Sequence, residues 1–255
     1  MRKVALITGS AKNTGLAIAK KFASMGYDLC ITDRNEENAK TIATILEKEF
    51  NVKCLGFRLD LEDRENIKEV FTKIKEQFSR LDVFVANAAN LGIGSSAIDM
   101  SEDEFLSVIN ANVSGNFFCA QQAARIMRNS CGGSIVLIGS IHYKGAVHKR
   151  SAYAISKGAM ASMVKSLAYE WAEFGIRVNQ VVPGAIKTAR WDNISEEETK
   201  KRRSNWPLGI ESTGEDVANA VYFMASDQSK TVTGTELVVD SGLTACLLKY
   251  EKGEN

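Results

Sequence analysis

Seven short apolar runs, rich in β-branched residues, recur along the chain at 4–8, 29–32, 52–57, 83–87, 134–139, 177–182 and 236–240. Between them lie longer amphipathic segments near 15–25, 35–48, 63–79, 101–129, 152–174 and 214–226. Strand and helix in alternation mean parallel strands joined by crossover helices that cover both faces of a sheet. The runs are almost continuously apolar, as strands covered on two sides must be. The expected fold is therefore α/β and doubly wound, with a central seven-stranded parallel sheet. Ser101, followed three residues later by Glu104, marks a capped start for the segment at 101–129.

No Pro/Gly/Ser-rich linker, charge block or repeat divides the 255 residues, so one domain spanning 1–255 is expected. The formal net charge of +1 asks for neither nucleic acid nor an anionic membrane as a partner. Cys30, Cys54, Cys119, Cys131 and Cys246 are odd in number and form no CxxC, which argues against a disulfide framework and a zinc site. His142 and His148 are the only histidines and lack a third ligand at metal spacing, so no metal is expected. The apolar start "VALIT" is too short for a signal peptide, and no run approaches the roughly 20 residues of a membrane span. A soluble cytoplasmic protein is expected. Residues 188–213 break the rhythm and read either as an insertion over a site or as a solvated surface helix.

"VALITGSAKNTGLAIAKKFASMG" is a strand, a tight loop and the start of a helix near Gly15. That arrangement aims backbone N–H groups and a helix N-terminus at one place, where a pyrophosphate fits. Asn13 stands where a third glycine would complete the loop, and Asn tolerates positive φ better than most residues. Asp33 lies 18 positions after Gly15 at the end of the second run. This is close to the roughly 20-residue offset of a carboxylate that accepts ribose hydroxyls. Such a carboxylate repels a 2′-phosphate and favours NAD, whereas Lys12 and Arg34 could pair with that phosphate and keep NADP possible.

Tyr153 and Lys157 are one helical turn apart in "YAISK", and alone they read as a surface pair. Ser140 precedes Tyr153 by 13 residues at the end of the run "SIVLIGS", on the side of a parallel sheet where ligands bind. With these residues placed, the chain resembles the short-chain dehydrogenase/reductase family over nearly its whole length. The resemblance rests on TGxxxxxG at 8–15, "LDVFVANAA" at 81–89, "NVSG" at 112–115, "IGS" at 138–140 and YxxxK at 153–157. It continues in "GIRVNQVVPGAIKT" at 175–188 and "TGTELVVDSG" at 233–242.

The resemblance implies a doubly wound (Rossmann) domain and reversible hydride transfer between NAD(P) and a secondary alcohol or ketone. Tyr153 would be the general acid/base, and Lys157 would lower its pKa and hold the nicotinamide ribose. Ser140 would orient the reacting oxygen. Asn112 would interrupt its helix and hold a water that relays protons through Lys157. Gly9 and Gly15 would meet the pyrophosphate, joined by Ser10, Lys12, Asn13, Thr14 and Leu16 of the same loop. Asp33 and Arg34 would face the adenosine ribose, with Asn87 and Ala88 near it, and Asp60 and Leu61 the adenine. Pro183, Gly184, Ile186 and Thr188 would lie over the nicotinamide. A homotetramer or homodimer is the family's habit.

Three departures stand out: Asn13 in the loop, "ANAA" at 86–89 in place of the usual NNAG, and Gly139 where a second Ser is frequent. The segment "HYKGAVHKR" at 142–150 reads either as a plain solvated loop or as the mouth of a substrate site. As a mouth it would place His142 against the substrate, with Lys144, Lys149 and Arg150 favouring a polar or anionic one. Trp191 and Trp206 would form a lid wall or anchor the insertion. The substrate expected is small and polar, of sugar, polyol or hydroxy-acid type. The alternatives are an NADP-linked carbonyl or 3-oxoacyl-thioester reductase and, outside enzymes, a nucleotide-sensing binding protein.

Overall fold

Seven parallel strands make the frame: β1 (Val4–Ile7), β2 (Asp28–Asp33), β3 (Cys54–Arg58), β4 (Val83–Ala86), β5 (Gly133–Ile138), β6 (Ile176–Pro183) and β7 (Glu236–Val239). Their order in this computed structural model, which describes residues 1–187 and 194–246, is β3-β2-β1-β4-β5-β6-β7. The chain runs outward from β1 to β3, then returns to β1's other side with β4. A crevice therefore opens beyond the C-terminal ends of β1 and β4, where the two neighbouring connections leave in opposite directions.

Each face of the sheet is covered by helices. One face packs Ile18 and Phe22 of α1 (Asn13–Ser24), Leu46 of α2 (Glu36–Phe50) and Val221 of α8 (Gly214–Ala225) against Ile7, Ile31 and Val181. The other packs Phe71 and Ile74 of α3 (Arg64–Phe78), Cys119 and Ala123 of α5 (Asn116–Met127), and Met160 and Leu167 of α6 (Ser151–Trp171) against Leu6, Phe84 and Val178. Successive strand residues point to opposite faces, so both must be apolar. The uninterrupted apolar runs have this cause. None of the described helices is long and apolar enough to cross a membrane, and Cys30, Cys54, Cys119 and Cys131 are free thiols.

Helix starts follow their caps. Asn35 accepts from the backbone N–H groups of Glu37 and Asn38, Asp63 from that of Asn66, and Thr213 exchanges bonds with Asp216 in a full capping box. Ser101 caps α4 (Glu102–Ile109) as its sequence predicts, but Glu104 does not turn back to it. Glu104 instead accepts from Gly94 N–H at 3.2 Å and Ser95 N–H at 3.4 Å, fixing the loop ahead of the helix.

The helix expected over 101–129 is not continuous. It breaks into α4 and α5 around a wider π turn at Asn110–Gly115. The segment at 188–213 carries α7 (Glu196–Arg203), capped by Ser195, and a bridge from Ile186 to Ser212. Thr188 and Trp191 lie outside the described residues. Trp206 is buried, on the anchoring side of its two readings.

Candidate active site

The glycine loop turns because Gly9 and Asn13 take left-handed φ values of 63° and 50°. A methyl group at Gly15 would overlap the Gly9 carbonyl oxygen and come within 2.7 Å of Asn87 Nδ2. No side chain caps α1: Lys12 occupies the cap position in extended conformation, and the intrahelical ladder starts with Leu16 N–H to Lys12 O at 3.1 Å. The amides of Asn13, Thr14 and Gly15 thus stand ahead of the ladder at the positive end of the helix. A cradle without side chains, floored by glycine and facing a helix N-terminus, fits a dinucleotide pyrophosphate.

Asn87 Nδ2 donates to Thr8 O at 2.8 Å and Gly9 O at 3.2 Å, while Thr8 Oγ1 accepts from Asn87 N–H and Ala88 N–H, each at 2.9 Å. "ANAA" therefore ties the C-terminal end of β4 to the glycine loop. Ser10 is fully buried; its hydroxyl donates to Ile7 O at 2.8 Å and accepts from Thr32 N–H at 3.1 Å. Its side chain ties β1 to β2 and leaves only backbone for the crevice. Asp33 ends β2 half-buried and accepts from Asn35 N–H at 2.9 Å, with exposed Arg34 beside it. Asp60 accepts from Glu62 N–H at 3.1 Å and lies 3.7 Å from Arg58, while Leu61 is buried against Gly115. Pro183 ends β6, and Gly184 N–H is engaged by Val239 O at 2.9 Å.

Ser140, Tyr153 and Lys157 come together at the C-terminal end of β5. The Ser140 hydroxyl accepts from His142 N–H at 3.3 Å and acts on the Tyr153 side chain closely enough to draw its pKa down. Lys157 is 1 % exposed; its Nζ donates to Ile138 O at 2.7 Å, touches Met160 Sδ at 3.5 Å, and sits 5.5 Å from the Tyr153 ring centroid. An ammonium needs three acceptors to be satisfied, and a carbonyl with a thioether is a poor set. Burial accordingly pulls Lys157 down to about 7. Tyr153 is pushed above its ordinary value by burial, against the opposing pull of the Ser140 hydrogen bond and the Arg150 charge. The expected lowering of the phenol by Lys157 is not what sets its value here: burial dominates, and the opposing pull comes from Ser140 and Arg150.

Asn112 is fully buried in the π turn. Its Oδ1 accepts from Asn90 N–H at 2.7 Å, and its Nδ2 donates to Asn90 O at 2.8 Å and Ser156 Oγ at 3.0 Å. Ser156 Oγ in turn donates to Tyr153 O at 2.7 Å. Asn112 is linked to the backbone of Tyr153 through Ser156; no direct bond joins it to Lys157 among the described residues. Asn90, Ser156 and Thr8 belong to this constellation although sequence reasoning passed over them. Ser156 had one visible signal, a small polar residue immediately before the lysine of YxxxK.

The segment at 142–150 divides. His142 packs edge-on against Tyr153, with centroids 5.4 Å apart, and its Nδ1 is buried without a partner among the described residues. Burial first, and the Arg150 charge second, hold it below the ordinary histidine value. Arg150 donates to Leu91 O at 3.0 Å, whereas Lys144 turns away to pair with Glu236. Lys144 therefore does not serve the mouth as expected. Gly139 has its own reason: a Cβ there would overlap the Gln180 side chain.

The sequence profile of a family described as Enoyl-(Acyl carrier protein) reductase matches residues 9–244. Sorbose reductase of Candida albicans is 31 % identical over 95 % of this chain and 87 % of its own. A 3-oxoacyl-(acyl-carrier-protein) reductase of Thermotoga maritima is 35 % identical over 94 % of this chain and 97 % of its own. Among solved structures, a gluconate 5-dehydrogenase of Burkholderia cenocepacia in complex with NADP and tartrate superposes with a TM-score of 0.88 at 28 % identity, covering 96 % of each chain.

Proposed function

The chain belongs to the short-chain dehydrogenase/reductase family, and on that premise we propose how its crevice works and what enters it. It is an NAD(P)-dependent oxidoreductase that interconverts a secondary alcohol and a ketone. The bound nicotinamide supplies or accepts the hydride. One observation carries the assignment of the remaining chemistry: the fully buried Lys157 amine lies 5.5 Å from the ring of Tyr153, the phenol on which Ser140 acts.

Ser140 orients the reacting oxygen. Tyr153 is a protonated phenol at neutral pH, the more so for its burial, and delivers that proton to the carbonyl oxygen during reduction. In oxidation Tyr153 must first lose that proton, and a charged Lys157 makes the phenolate less costly. Asn112 positions Tyr153 through Ser156. Gly9, Asn13, Thr14 and Gly15 hold the pyrophosphate, with Lys12 and Leu16 flanking it. Asp60, Leu61, Asn87 and Ala88 line the adenosine side, and Pro183, Gly184 and Ile186 the nicotinamide side.

Asp33, at the end of β2, selects NAD, because a carboxylate accepts ribose hydroxyls and repels a 2′-phosphate. The substrate is a small polyhydroxylated ketone or hydroxy acid. This reading draws on relatives whose names carry sorbose and gluconate. It also draws on His142, neutral and edge-on to Tyr153, with an unpartnered nitrogen that suits a substrate hydroxyl. Turnover with NADH and NADPH, measured across ketoses, polyols, sugar acids and 3-oxoacyl thioesters, tests it. Preference for a thioester would replace the polar-ketone reading with the acyl-reductase one.

A further inference from the structure

A second cavity of about 550 Å³ opens at the far edge of the sheet, between α6 and β7. Its volume lies within the ordinary range for small-molecule pockets. Ala161, Val164 and Lys165 of α6 form one wall, Thr235 and Glu236 the other, and Gln180 of β6 closes the floor. Gln180 is 1 % exposed, and its Nε2 has no hydrogen-bond partner among the described residues. An amide donor buried without an acceptor is costly, so this one calls for an acceptor brought in from outside.

The charges at the rim indicate what that acceptor belongs to. Glu236 is held by Lys144 and by the Tyr143 hydroxyl, and the charge of Lys165 acts on it as well. Two ammonium groups against one carboxylate leave the rim one positive charge in excess. Ala161 and the buried side chain of Val164 add apolar surface below it. We propose that this cavity is a second ligand site, separate from the crevice, that takes a small monocarboxylate: its oxygen accepts from Gln180, its charge meets Lys165, and its short apolar part lies on Ala161 and Val164.

The site is connected to the catalytic segment by contact. Gln180 packs directly against Gly139, the residue before Ser140, and Tyr143 and Lys144 follow three and four residues later. Occupancy would therefore be felt at Ser140. The inference goes beyond the hydride-transfer reading and does not depend on it, since its readout is binding.

Isothermal calorimetry with butyrate and benzoate, and with butyramide as the uncharged control, tests the site on the full chain saturated with NADH. Saturable binding of a carboxylate, absent for butyramide and weakened at least tenfold in both Lys165→Gln and Gln180→Met, is the expected result. Lys165 is an exposed side chain, so Lys165→Gln still decides the matter should Gln180→Met fail to fold. Equal affinity in wild type and variants would place the carboxylate elsewhere and overturn the proposal. So would the absence of any saturable binding, or a crystal structure in which Gln180 Nε2 meets only an ordered water or a second copy of the chain covers the cavity.

Discussion

Lys157 shows how much a single residue's setting decides. Its pKa of about 7 when buried, against the ordinary 10.5, means that the unfolded chain binds the extra proton throughout that window. The sign follows from proton linkage: burial of Lys157 destabilises the cofactor-free protein fully below pH 7, and the loss is recovered as pH rises toward 10.5. Urea unfolding of wild type and Lys157→Met should show the wild type gaining relative stability between pH 7 and 10, by at most about 1.4 kcal/mol per pH unit. Parallel pH profiles for the two would contradict the burial argument. Asp33 makes a separate prediction. Asp33→Ala should reduce the kcat/KM preference for NADH over NADPH at least tenfold, since one like-charge contact is removed; a wild type that already prefers NADPH would show that Asp33 does not read the ribose. At this scale the sequence marked residue types and spacings well. It could not mark Asn90 or Gln180, and marked Ser156 only by its place before Lys157, because their importance arises from contacts between residues distant along the chain.

At the scale of elements, the glycine loop and α1 act as one device. Gly15 is required not for its own φ but because the loop carbonyl of Gly9 and the amide of Asn87 pack against its Cα. Gly15→Ala must push that carbonyl aside, and it should weaken NADH binding at least tenfold while fluorescence-monitored unfolding stays cooperative; unchanged affinity would remove the cradle from the cofactor site. The departures from the family pattern are explained at the same level. Asn13 supplies the left-handed turn without a glycine, and Gly139 gives way to Gln180. The interruption at Asn110–Gly115 was legible only as the motif "NVSG", because hydrophobic periodicity runs on through a π turn almost unchanged. In α7, Glu196, Glu197 and Glu198 fill the first turn behind the Ser195 cap and Lys200 to Arg203 the last, but polar composition alone left an insertion over a site and a solvated helix equally open.

For the whole molecule, the doubly wound sheet was the most legible feature, since two covered faces make the strands mostly apolar rather than alternating. Strand limits moved by one or two residues, as hydrogen bonding rather than hydrophobicity sets them. The same topology explains why residues from β1, β2, β4, β5 and β6 meet: all five strands end on one side, at the reversal of strand order between β1 and β4. The central claim is that Tyr153 moves the proton in this shared crevice. Turnover of Tyr153→Phe with NADH and the best ketone, measured beside its NADH dissociation constant, tests that claim most directly. A fall in kcat of about 10²–10⁴-fold with NADH affinity within about twofold of wild type is the predicted result. Turnover within a fewfold of wild type would contradict it.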